Sequence, residues 1–108
     1  MSVNENLHQR WQGTAAMHQE YTWRLPLEPW HVKQFPSYCA TTANSIAKPG
    51  GGPGAASCAA GFLSRFVSDL SCWLHLDLAS AYQMQANHLW GCGATGNGVL
   101  ALASILID

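Results

Sequence analysis

The sequence predicts an α/β chain, and three observations carry that prediction. Apolar residues recur at helical spacing in several stretches. One segment, residues 73–78, alternates as a strand does, with Leu74, Leu76 and Leu78 on one face and Trp73, His75 and Asp77 on the other. The third is an apolar excess: of 108 residues, 48% are hydrophobic and only 10% charged, with five tryptophans. Soluble domains usually carry about 25% charged residues, and a chain this short buries only about two-thirds of its unfolded surface. Such a composition expects to be covered by something else.

Each element follows from local chemistry. Ser2 and Glu5 have capping-box spacing, and Leu7, Trp11, Ala15 and His18 share one face of a helix ending near Tyr21. Residues 23–27 form a short extended stretch that Pro26 keeps from becoming helical. A short helix opens at Pro29, a residue suited to a first helical position, and closes before Pro36. Residues 37–54 are loop. A long helix follows, with Ala56, Ala59, Ala60, Leu63, Phe66, Val67 and Leu70 on its apolar stripe and Ser57, Ser64, Arg65, Ser68 and Asp69 opposite. Residues 73–78 carry bulk on both faces, as interior strands do. A loop then runs to Gly98, and residues 99–107, apolar on every side, predict a buried helix. One strand without neighbours cannot satisfy its backbone groups. Either residues 23–27 and 38–43 supply them, or they belong to another polypeptide, and the second is favoured.

Charge and motifs exclude several functions. Five basic and six acidic residues leave a net charge of −1, so no cationic field attracts nucleic acid or an anionic membrane. No apolar run approaches the roughly 18 residues of a membrane span, and the first ten residues do not read as a signal peptide. Cys39, Cys58, Cys72 and Cys92 form no CxxC pair and read as reduced, mostly buried thiols of a cytoplasmic protein. The stretch from Gly91 to Gly96 matches GxGxxG but lacks the flanking strands and the later acidic residue of a dinucleotide site. The glycine run before residue 55 leads into a helix N-terminus, which could receive an anion, but reads better as a turn. His75 and Asp77 could be a base and its orienting carboxylate, but no third ligand or nucleophile stands near them, so a buried hydrogen-bonded pair is the preferred reading. A two-metal hydrolytic site needs several convergent oxygen ligands. Glu5, Glu20 and Glu28 look exposed, and Asp69 sits on a polar helix face. No catalytic or metal-binding residue emerges from the residues alone.

The order of segments is nonetheless distinctive. Trp23-Arg24-Leu25-Pro26-Leu27, Gly51-Gly52-Pro53-Gly54-Ala55-Ala56, Ala60-Gly61-Phe62-Leu63-Ser64-Arg65-Phe66-Val67, Trp73-Leu74-His75-Leu76-Asp77-Leu78 and Gly93-Ala94-Thr95-Gly96-Asn97-Gly98-Val99 follow one another at consistent spacing. Together they resemble the carboxyl-terminal end of the leucyl aminopeptidase family. Ser80, where most members have glycine, and the ending from Leu89-Trp90 to Gly96 look most similar to its bacterial peptidase B branch. Residues 1–108 would then be the C-terminal fragment of a mixed-sheet, helix-flanked metallo-aminopeptidase catalytic domain. The resemblance further implies two divalent metals (manganese or zinc) in the full-length enzyme, peptide substrates, a cytoplasmic homohexamer and a separate N-terminal domain. The family's metal signature, NTDAEGRL, and its catalytic lysine and arginine lie upstream of the part represented here, so this chain alone is expected to bind no metal and to be inactive. Ala79 and Tyr82 match positions lining the pocket for the substrate's first side chain, and Ser80 loosens the correspondence at Ala79. His75 and Asp77 match structural positions. Two functions remain in view: part of an aminopeptidase, paired with an upstream half or as a homo-oligomer, or a non-catalytic module docking on an intact one.

Overall fold

The computed structural model describes residues 1–33, 35–44, 52–78 and 81–107. Two units emerge, one from Met1–Glu5 and Arg24–His75, the other from Asn6–Trp23 and Leu76–Asp108. Among the described residues four helices form: α1 (Glu5–Met17), α2 (Pro29–Val32), α3 (Ala55–Ser64) and α4 (Val99–Ile107). A 3₁₀ turn spans Leu70–Cys72, and β1 (Tyr82–Gln83) pairs antiparallel with β2 (Gly93–Ala94). The described residues are helix-rich with a two-stranded sheet, less β-structure than the predicted mixed sheet.

In the first unit, α2 begins as its proline predicts. Glu28 and His31 form a reciprocal capping box, with the Glu28 N–H donating to His31 Nδ1 at 2.9 Å. The helix packs against α3 at Gly61. A β-carbon there would lie 2.7 Å from the His31 carbonyl carbon and 2.9 Å from the Val32 nitrogen, so only glycine admits this approach. The requirement turns α3 away from the predicted stripe. Ser57, Cys58, Ala60, Gly61 and Ser64 are buried, while Leu63 and Phe66 are exposed. The two serines therefore belong to the packed face, because small residues let the backbones meet, and the Ser64 hydroxyl is satisfied by the Gly61 carbonyl at 2.8 Å. Phe62 sits between Phe35, tilted to it, and Phe66, edge-on to it, at centroid distances of 5.1 and 5.2 Å.

α3 also ends earlier than predicted. Its last turn tightens through i→i+3 bonds from Arg65 to Phe62 and from Phe66 to Leu63. Asp69 is extended and its carboxylate accepts from the backbone N–H and hydroxyl of Ser71, at 2.8 and 2.6 Å. Aspartate competes with helix in this way, so Asp69 caps the 3₁₀ turn rather than riding a helix face.

Residues 73–78 do not form a strand. His75 and Met1 exchange backbone bonds of 2.8 and 2.9 Å, and the Ser2 hydroxyl donates to the Trp73 carbonyl at 2.7 Å. No ladder continues these contacts among the described residues, and residues 23–27 and 38–43 provide none. Alternation supplied the face pattern without the neighbouring edge that a strand requires.

In the second unit, α1 buries His8, Trp11 and Ala15, a face one residue away from the predicted Leu7 edge. Trp11 donates its indole N–H to Thr22 Oγ1 at 3.0 Å. α4 lies where the sequence places it but is not buried: Ala101 alone of its described residues is. Polar groups hold it instead. Glu20, 8% exposed, accepts from the Leu100 and Ala101 N–H groups at 3.3 and 2.8 Å. His18 Nε2 meets Ser104 Oγ at 2.7 Å, and Arg10 donates to the Ile105 carbonyl at 3.1 Å. A carboxylate at the helix N-terminus and a guanidinium at its C-terminus both match the helix dipole.

Candidate functional site

The β1–β2 hairpin carries the one described residue that the sequence assigns to substrate. Tyr82 faces Ala94 and Gln83 faces Gly93, and Gly93 takes a φ of 114° that side-chain-bearing residues rarely adopt. The connecting loop is braced by Asn87, whose Oδ1 accepts from the N–H groups of Leu89 and Trp90, both at 2.8 Å. Its backbone N–H donates to the Trp90 carbonyl at 2.9 Å and its side-chain amide to Gln83 Oε1 at 3.3 Å. Cys92 adds a thiol donor to the Met84 carbonyl at 3.4 Å. A short hairpin has little intrinsic stability, so these bonds hold Tyr82 in register. The phenol is 54% exposed. Ala79 and Ser80 lie outside the described residues. Asn87 escaped sequence reading, although asparagine in a polar loop is the ordinary signal for such a turn.

The remaining sequence candidates take structural places. His75 is half-buried with its ring 6.0 Å from that of Trp73, and Asp77 is exposed, so the two do not make up a buried pair. In the GxGxxG stretch, Gly93 sits in β2 and Gly96 precedes α4, whose first N–H groups already serve Glu20. The earlier glycine run ends in Gly54, the left-handed N-cap of α3 with φ 72°, and Gly50 and Gly51 lie outside the described residues. Of the four thiols only Cys58 is buried. The expectation of mostly buried cysteines fails because Cys39, Cys72 and Cys92 lie in surface loops and turns.

The carboxylates decide what chemistry these residues can support. Glu5 pairs with Arg24 at 2.8 Å, Glu20 caps α4, Glu28 caps α2 and Asp69 caps the 3₁₀ turn. Glu20 was expected to be exposed and is instead buried by a contact spanning eighty positions, which no local pattern announces. The Ser71 hydroxyl, then its backbone N–H, hold the Asp69 carboxyl below the usual carboxylate range. Among the described residues no group of three or more His, Cys, Asp or Glu could hold a metal ion. A two-metal centre does not fit them. The first unit has a cleft of about 320 Å³ lined by Phe35, Asn44, Cys58, Ala59, Phe62 and Leu63, which offers shape and apolar surface but no acid–base pair.

Residues 1–103 match the catalytic domain of the cytosol aminopeptidase family. The chain belongs to this family. Peptidase B of Serratia proteamaculans (strain 568) is 44% identical over 108 residues, covering 99% of this chain and 25% of that protein. Peptidase B of Cronobacter sakazakii (strain ATCC BAA-894) is 42% identical over 106 residues, covering 97% of this chain and 24% of that protein. Peptidase B of Klebsiella pneumoniae (strain 342) is 42% identical over 108 residues, with the same shares. The chain thus spans about a quarter of the length of the curated relatives it matches. The family's catalytic domain is an α/β fold, and the resemblance carried by the five sequence segments agrees with the match. No helix among the described residues is long and apolar enough to cross a membrane.

Proposed function

We propose that this chain constitutes the C-terminal portion of the catalytic domain of a cytoplasmic, two-metal-dependent aminopeptidase that releases N-terminal amino acids from peptides. The observation that carries this reading is the match of nearly the whole chain to a quarter of several peptidase B proteins. In this reading the metals, manganese or zinc, are held by residues of the enzyme other than those described here. Tyr82, held in register by the braced hairpin, and Ala79 line the pocket for the substrate's first side chain. The phenol ring supplies an apolar face and its hydroxyl a polar edge, suited to sorting side chains by size and polarity. The intact enzyme is a homohexamer.

The chain by itself has no peptidase activity. The purified 108-residue protein is assayed on leucyl-p-nitroanilide with added manganese or zinc. The expected rate equals that of the metal alone, and turnover above it would overturn this part of the proposal. A second reading is a non-catalytic module that docks on an intact aminopeptidase. It is favoured by the number of large apolar side chains left exposed, Trp23, Trp30 and Leu106 among them. Co-purification with an intact peptidase B, without any gain of activity from an upstream half, would select it.

A further inference from the structure

We infer that Asn87 is a positioning residue for side-chain selectivity, acting through Gln83 to set where the Tyr82 ring stands. The inference rests on the proposed function, in which Tyr82 lines the pocket for the substrate's first side chain, and adds what holds the ring there. The ladder of β1 and β2 comprises the pairs Tyr82–Ala94 and Gln83–Gly93. Strands this short are marginal, and a slip of one residue would send Tyr82 to the opposite face. A connecting turn can fix register, but turn type does so for loops of roughly two to five residues. Here the connection runs from residue 84 to residue 92. That length leaves the register open, so the loop needs a brace of its own.

Asn87 supplies that brace with both halves of its amide. Oδ1 accepts from the Leu89 and Trp90 N–H groups, and the Asn87 backbone N–H donates to the Trp90 carbonyl, so residues 87–90 close on themselves. Nδ2 then donates to Gln83 Oε1 at 3.3 Å, and Gln83 is the ladder neighbour of Tyr82. The loop is thereby tied to the strand residue beside the phenol. An acceptor and a donor on one short side chain are what asparagine has and the near-isosteric leucine lacks. The Cys92 thiol, donating to the Met84 carbonyl, closes the base of the loop separately. Asn87 is exposed and Gln83 half-buried. Hydrogen bonds exchanged with water add only modestly to stability, so Asn87 decides a local geometry rather than whether the chain folds. A displaced phenol costs a leucine side chain more than an alanine one, because the shorter side chain makes fewer contacts with the ring.

A chimera, Serratia proteamaculans peptidase B with its matched quarter exchanged for this chain, serves as the intact enzyme. Asn87→Leu should lower the ratio of kcat/KM on leucyl- over alanyl-p-nitroanilide about tenfold. The loss should fall on KM for the leucyl substrate, with alanyl turnover and the thermal midpoint unchanged. Asn87→Asp keeps the acceptor toward Leu89 and Trp90, and Gln83 can turn its amide to donate to it, so the ratio should recover to within about twofold. Gln83→Met should lower the ratio too, and combined with Asn87→Leu it should lower it no further than Asn87→Leu alone. Gln85→Ala, at an exposed position of the same loop, should change nothing. In the 108-residue chain itself, Asn87→Leu should speed amide exchange at Leu89 and Trp90 about tenfold and abolish the Tyr82–Ala94 cross-strand contact in NMR spectra. An unchanged ratio, an equal loss on both substrates, a Gln83→Met variant without effect, or persistence of the Tyr82–Ala94 contact would each refute the inference and leave the proposed function standing. A folded chimera with no turnover on either substrate before any substitution would instead overturn that function, and the selectivity role with it.

Discussion

Substituting alanine at two helical glycines should move stability in opposite directions. Gly13 lies inside α1 with nothing within 4 Å of where a β-carbon would stand. Gly61 lies inside α3 with the His31 carbonyl carbon 2.7 Å from that point, the His31 oxygen at 2.8 Å and the Val32 nitrogen at 2.9 Å. Both sites gain about 1 kcal/mol from helix propensity when glycine becomes alanine. At Gly13 nothing opposes that gain, so Gly13→Ala should stabilise by about 0.5–1 kcal/mol. At Gly61 the new methyl falls 0.7 Å short of the 3.4 Å at which ordinary contact begins. The obstructing atoms are backbone, which cannot rotate aside. Overpacking of this kind costs about 1–3 kcal/mol, and here it must also part α2 from α3 and stretch the Arg65 bond to the Val32 carbonyl. Gly61→Ala should therefore destabilise by up to about 2 kcal/mol net of the propensity gain. Urea denaturation followed by circular dichroism reads both variants against the unaltered chain. A Gly61→Ala midpoint at or above the starting protein's would refute the close α2–α3 approach, whatever Gly13→Ala does.

Other perturbations test the remaining contacts. Glu20→Gln keeps the shape but removes the charge from two bonds at the start of α4, so a loss of about 1–3 kcal/mol is expected. Amide exchange at Leu100 and Ala101 should rise, and unchanged protection there would contradict the cap. Asp69 has a folded pKa held below its unfolded value by Ser71. Its contribution to the 3₁₀ turn is therefore complete above the unfolded value and lost as pH falls through the depressed folded one. The Ser71 amide resonance should follow that acidic titration, and Asp69→Asn should abolish it. Thiol labelling followed by mass spectrometry should modify Cys39, Cys72 and Cys92 quickly and Cys58 only on unfolding. Equal rates at all four would show that α3 does not bury Cys58.

Part of this molecule is written locally. The proline at position 29, the periodicity of α1 and the unbroken apolar run of α4 specify helices because each depends on residues within a turn or two of one another. The five ordered segments likewise carry the family without any coordinates. Burial and pairing were decided only in three dimensions. Gly61 turned α3 onto its serine-containing face because α2 needed backbone contact there, and Asp69 stopped the helical stripe by capping the next turn. Glu20 became buried because α4, eighty positions away, offered unsatisfied N–H groups. Residues 73–78 show the converse: alternation names the faces of a strand, but the strand itself exists only where another edge supplies its hydrogen bonds.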